Sequence, residues 1–226
     1  KFQDIIDENP FNQLRFQFRK EKILPKTIPY DILKSVYSYS EQKVIYSKSK
    51  YQKQKAERNL LIISLLLSTG IRISELCHIH LKDINFSNRT LHIIGKGKKE
   101  RILFLGDQTT FRLLKTYINK YCIQSNDYLF TGHNPLKALS EQSVRLILKK
   151  LVKKNNLSIT ITPHMFRHSF ATMLLDKNVD IRYIQQILGH SSISVTQIYT
   201  HVSQSKQKEI LTLCNPISSI RSRPQK

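Results

Sequence analysis

The stretch DINFSNRTLHIIGKGKKERILFL, residues 83–105, breaks the pattern of the rest of the chain. Its apolar and β-branched residues fall into three short runs, Asp83–Asn85, Thr90–Ile94 and Arg101–Leu105. Phe86–Arg89 and Gly95–Glu100 divide them with turn-forming and charged residues, so the stretch predicts a small antiparallel three-stranded sheet. On either side the apolar residues recur at helical spacing. Pro29 opens a segment Tyr30–Tyr39, and Ala56–Ser68 carries a stripe of Leu60, Ile63 and Leu67 closed by Thr69 and Gly70. A short helical segment follows at Ile73–His78, then others at 109–124, 140–156, 163–176, 180–188, 192–199 and 203–213. The expected fold class is therefore mainly α with one small antiparallel sheet inserted. Residues 40–55, rich in Lys, Ser, Tyr and Gln, read as an exposed connection.

Composition narrows the function. The chain has 226 residues, 40% of them hydrophobic, enough for a real core, and 37 Lys and Arg against 16 Asp and Glu leave a formal charge of +21. A surplus of that size makes nucleic acid the leading partner, with a merely solvated Lys-rich surface as the alternative. Leu60–Ile63 and Leu65–Leu67 are the longest apolar runs, far short of the roughly 20 residues a membrane span needs, so no membrane partner is expected. Cys77, Cys122 and Cys214 are odd in number and widely spaced, which excludes a disulfide framework or a CxxC zinc pattern and points to a reduced, cytoplasmic setting.

Several segments carry candidate chemistry. In Thr162-Pro163-His164-Met165-Phe166-Arg167-His168, Thr162 is a good N-cap and Pro163 a good first helical residue, which puts His164 in a helix's first turn, where an anion is favoured. Arg167, three residues on, shares its face, while Phe166, Phe170 and Leu174 point to the core. In Thr69-Gly70-Ile71-Arg72-Ile73-Ser74-Glu75-Leu76, an arginine just past a helix end could fork onto two phosphate oxygens while Glu75 fixes local geometry. Lys96 sits between Gly95 and Gly97 at the tip of the expected hairpin. Each segment alone is as well explained by a surface pair or a solvated turn. His78, His80, His92 and His133 have no partners at ligand spacing, and Tyr128 and Tyr183 read as packing residues.

In order and spacing these segments resemble the tyrosine recombinase, or phage integrase, family, in particular its Xer-like branch. The resemblance runs from about residue 24 to 205 and rests on Arg72, Lys96, His164 with Arg167, Leu188-Gly189-His190 and Tyr199, with flanks such as Gly-Lys-Gly-Lys-Lys-Glu-Arg and Leu-Gly-His-Ser-Ser. It implies a site-specific DNA recombinase that cleaves and rejoins strands through a 3′-phosphotyrosyl intermediate and a Holliday junction. Tyr199 would be the nucleophile and Lys96 the general acid for the departing 5′ oxygen. His164 would accept the tyrosine proton or orient it, Arg72, Arg167 and His190 would face the phosphorane charge, and Glu75 would support them. The resemblance implies neither ATP nor a metal.

It also implies an organisation: residues 1–26 as the end of an interdomain linker, 27–201 as the catalytic domain, and 202–226 as a C-terminal helix and tail that packs in cis or into a neighbouring protomer. The first residues lack an initiator Met, and the chain reads as the catalytic part of a longer recombinase whose N-terminal core-binding domain lies outside it. The implied partners are a double-stranded recombination site, a homo-tetramer formed on DNA from monomers, and accessory DNA-bending or directionality factors. Two rivals are a type IB topoisomerase-like strand relaxation with the same tyrosine chemistry, and a non-catalytic DNA-binding relative.

Overall fold

The computed structural model describes residues 26–95, 100–132, 134–189 and 202–221. Helix α2 (Lys50–Thr69) is the axis of the molecule. Every residue from Leu60 to Thr69 is buried, so it is covered on all sides rather than along one stripe. Ser49 caps its start by accepting from the Gln52 amide, and Gly70 ends it in the left-handed conformation at φ 61°. Around α2 lie α1 (Tyr30–Ile45), α4 (Gln108–Tyr121) and α6 (Pro163–Leu175), with the five-residue α3 (Ile73–Cys77) directly after its end. Helix α5 (Glu141–Lys154) closes the main core through Val144, Leu148 and Leu151.

The sheet has the order β1 (Ile84–Asn85), β2 (Thr90–Ile94), β3 (Glu100–Phe104), antiparallel throughout. Leu91 pairs with Leu103 and Ile93 with Arg101. Alternation along a strand therefore puts Arg101 on the same face as the buried Leu91, Ile93 and Leu103. A second, smaller core joins Phe104, the far half of α6, α7 (Ile181–Leu188) and α8 (Val202–Leu213) through Phe170, Leu174, Ile184, Leu188, Ile210 and Leu211.

The structure departs from the sequence expectations in two places. Residues 40–55 are not an open connection: α1 runs to Ile45 and α2 starts at Lys50, leaving a short turn. Lys50 to Lys55 are exposed, so the polarity there marks a solvent-facing helix without Gly or Pro to stop it. A terminal helix, α9 (Pro216–Arg221), was not foreseen, because six residues are too few to show a period. The expected helix 192–199 lies outside the described residues.

The C-terminal segment packs on its own chain. Asn215 is fully buried, its amide donating to the Ser68 and Leu211 carbonyls at 3.1 and 3.0 Å. Arg221 donates to Tyr37 Oη at 2.7 Å, Asp107 Oδ2 at 2.5 Å and Thr110 Oγ1 at 3.2 Å, tying α9 to α1 and to the first turn of α4. No helix among the described residues is long and apolar enough to cross a membrane.

Candidate active site

Two helix ends and one strand meet at the site. The C-termini of α2 and α7 finish in left-handed glycines, Gly70 at φ 61° and Gly189 at φ 67°, which leave backbone carbonyls without helical partners. Arginines fill that need. Arg167, buried in α6, donates to the Gly70 carbonyl through Nη1 at 2.8 Å and to the Leu188 carbonyl through Nη2 at 2.5 Å, so it staples the two helix ends together. The negative ends of two helix dipoles favour a cation there. Thr162 caps α6 as its sequence suggests, accepting from the Met165 amide at 3.3 Å, and Pro163 occupies the first turn. His164 is exposed at that turn, one turn ahead of Arg167.

Arg72 stands at the N-cap of α3. Its backbone N–H donates to Glu75 Oε2 at 2.9 Å, its Nη1 to Glu75 Oε1 at 3.0 Å and its Nη2 to the Gly189 carbonyl at 3.2 Å. Arg101, from the inward face of β3, donates to the same two oxygens, Nη1 to Oε1 at 2.7 Å and Nη2 to Oε2 at 2.8 Å. Glu75 is thus no surface partner: its side chain is 3% exposed, against 36% for Arg72. Burial by itself would raise the Glu75 carboxyl, but the Arg101 guanidinium, with Arg72 behind it, holds it below the ordinary carboxylate value. Burial, then repulsion from Arg72 and Arg101, pushes Arg167 down to about 10, still protonated at neutral pH. The cluster holds three guanidiniums around one carboxylate, and its surplus is positive.

Of the residues singled out in the sequence, Arg72, Glu75 and Arg167 come together here, with His164 on the same helix as Arg167. Lys96, His190 and Tyr199 lie outside the described residues, although their chain neighbours Gly95 and Gly189 are described. His168 is half-buried, and burial, then His164 and Arg167, lower its pKa. Tyr128 stacks on His80 at 4.3 Å between ring centroids, and Tyr183 packs against the second core. Sequence reasoning missed Arg101 as a member of the cluster. Its signal was an arginine at an inward position of a strand, which shows only once the register is known. Beside the site, a groove lined by Arg145, Lys149 and Lys153 of α5 runs to Thr162 and His164.

Residues 37–206 match the phage integrase family, and the chain belongs to it. It is a site-specific recombinase of the tyrosine type. A tyrosine recombinase of Agathobacter rectalis is 47% identical over 220 residues, covering 96% of this chain and 71% of that protein. Tyrosine recombinase XerC of Pediococcus pentosaceus is 34% identical over 215 residues, 91% of this chain and 67% of its own length. Among solved structures, the XerH recombinase bound to its palindromic difH substrate, a post-cleavage complex, is similar at a TM-score of 0.64 and 27% identity. There the match covers 84% of this chain and 54% of the other.

Proposed function

We propose that the chain binds double-stranded DNA and transfers strands through Tyr199 by way of the Arg72, Arg101, Glu75 and Arg167 cluster. The observation that carries this reading is the unbalanced charge, with Arg72 half-open to solvent above the buried Arg167. A phosphodiester seated on Arg72 meets fixed donors where the five-coordinate transition state gains charge on its non-bridging oxygens. The Tyr199 oxygen forms a bond to phosphorus as the bond from phosphorus to the 5′ oxygen breaks. The tyrosine proton passes to His164, and Lys96 protonates the leaving oxygen, so the 3′-phosphotyrosyl ester keeps the energy of the broken bond. Attack by the 5′ hydroxyl of a partner strand reverses the step, and two such exchanges pass through a Holliday junction. His190, next to Gly189, supplies a further donor to the phosphate.

Further parts of the proposal follow from the family. Residues 1–26 end a linker, 27–201 form the catalytic domain and 202–226 form a terminal helix and tail. The active assembly is a homo-tetramer on DNA, helped by bending or directionality factors, in the reducing cytoplasm. The α5 groove gives the duplex a basic path to His164, and the +21 charge makes binding steeply salt-dependent.

The test is covalent trapping. Nicked duplexes from a random-sequence pool are incubated with the protein, and DNA that survives denaturation on the chain is sequenced while the linked peptide is mapped by mass spectrometry. A 3′-phosphate ester on Tyr199, absent from Tyr199→Phe although that variant still binds DNA, is the expected result. An adduct on another residue, or binding without any adduct in both this chain and a longer natural one, would overturn the assignment.

A further inference from the structure

We propose that Arg101 is a positioning residue for strand transfer: by taking both oxygens of Glu75 it leaves the Arg72 charge uncancelled and available to the phosphate. This rests on the reading of Arg72 as a phosphate donor. Glu75 is a buried carboxylate with four donors on two oxygens, two of them from Arg101 at 2.7 and 2.8 Å and two from Arg72 at 2.9 and 3.0 Å. The Arg101 bonds are the shorter pair and form a parallel fork, the strongest geometry a guanidinium and a carboxylate can adopt. Arg72 keeps one side-chain bond to the carboxylate and gives its other arm to a neutral carbonyl, Gly189. Arg101 therefore absorbs most of the negative charge of Glu75.

Two further features hold Arg101 in that role. It projects from the inward face of β3, opposite Ile93, and its side chain is only 15% exposed, so solvent competes little with the carboxylate for it. It also lies directly beneath Gly189: a Cβ added there would come within 3.0 Å of Arg101 Cδ and 3.2 Å of its Nε and Nη1. Arg101 thus underlies the peptide whose carbonyl takes Arg72 Nη2. If Arg101 is removed, the buried carboxylate has one guanidinium left to neutralise it. Arg72 should then close on Glu75, with its charge spent internally.

The experiment reads single-turnover covalent capture of a nicked duplex selected on the wild-type chain, in Arg101→Met, Glu75→Gln, the double variant and Arg72→Ala. Arg101→Met should slow capture by about ten- to a hundredfold, and Arg72→Ala by about a hundred- to a thousandfold. Glu75→Gln, which removes the competing charge yet can still accept from the Arg72 amide, should restore capture about threefold or more in the Arg101→Met background. Deleting Glu75 would also relieve the under-compensated buried charge of Arg101→Met, so capture is compared at a temperature where melting shows every variant fully folded; there a residue that merely supports the fold shows neither loss nor rescue. A double variant as slow as or slower than Arg101→Met, with melting showing both folded, would overturn the inference. Undiminished capture by Arg72→Ala would overturn the reading beneath it. If Arg101→Met does not fold, Arg101→Lys serves in its place: one ammonium cannot span both oxygens, so it should show a smaller loss with the same rescue by Glu75→Gln.

Discussion

Replacing Gly106 by alanine should loosen the C-terminal helix from the catalytic body by a calculable amount. A Cβ at position 106 would sit 2.0 Å from the Leu211 carbonyl oxygen, 2.3 Å from its carbon and 2.8 Å from the Thr212 nitrogen, all backbone atoms of α8. Ordinary contact begins near 3.4 Å, so α8 must retreat by about 1.4 Å, and no rotamer change relieves the clash. Leu211 is fully buried and Ile210 nearly so, both in the second core. Losing their burial entirely would cost about 3–6 kcal/mol at roughly 1.5–3 kcal/mol per side chain, while overpacking relieved by backbone shifts costs about 1–3 kcal/mol. The expected loss is about 2–4 kcal/mol, or a melting temperature lower by about 5–15 °C for a domain of this size. Urea unfolding and calorimetry measure it, and limited proteolysis should show cleavage within α8 earlier than in the wild type. Because Leu188 belongs to the same core and its carbonyl holds Arg167, capture of DNA should fall as well. Stability within about 0.5 kcal/mol of wild type would refute the reasoning, since it would mean that Leu211 does not seat against Gly106 in solution.

Three other outcomes are expected. Lys96→Ala should slow cleavage of ordinary DNA yet be rescued on a duplex whose 5′-bridging oxygen is replaced by sulfur; equal loss on both would remove Lys96 from the general-acid role. Glu75 has its folded pKa below its unfolded value of 4.5, so its contribution to stability is present above pH 4.5 and is lost as pH falls through the lower folded value. Urea titrations of wild type and Glu75→Gln should therefore converge below pH 4.5, and a gap that stays constant to pH 3 would contradict this. Burial raises the Cys77 thiol to about 11, so at pH 8 a disulfide reagent should modify the exposed Cys122 first and reach Cys77 only on unfolding. Between the unfolded value of 9.0 and about 11, the stability associated with a neutral Cys77 should be lost, and its absence in Cys77→Ala would confirm the source.

How much of this was legible depended on sequence distance. The α6 start could be read because Thr162, Pro163 and Met165 act within one turn, and the Arg72 and Glu75 pair because a capping carboxylate lies three residues from its arginine. The partners of Arg167 could not be read. They are backbone carbonyls 97 and 21 residues away, and a carbonyl has no residue type to betray it. Arg101 was hidden by the two-residue period of a strand, in which a one-residue shift of register would send it to solvent. The strand runs and their antiparallel arrangement were plain from 83–105, yet which face of β3 met Glu75 depended on the pairing of Ile93 with Arg101. Residues 40–55 misled for a different reason, since polarity reports exposure and a surface helix can be as polar as a loop.

Two of the three arginines of the site, Arg167 and Arg72, are held in opposite ways, and the contrast fits the roles proposed for them. Arg167 is buried and bound to two neutral carbonyls, so its position is fixed by the meeting of α2 and α7 while its charge stays uncancelled. Holding a cation there works against burial and against two neighbouring guanidiniums, as its lowered pKa records. Arg72 is partly exposed, and its charge would be cancelled by Glu75 if that carboxylate had no other partner. A second arginine on the carboxylate resolves the conflict: Glu75 anchors the backbone and side chain of Arg72, and Arg101 takes up the charge that anchoring would otherwise consume. On the proposed roles, the donors are set before substrate arrives, by groups drawn from α2, α3, β3, α6 and α7, and an incoming phosphate would meet a surplus of positive charge rather than a neutral ion pair that it must first break.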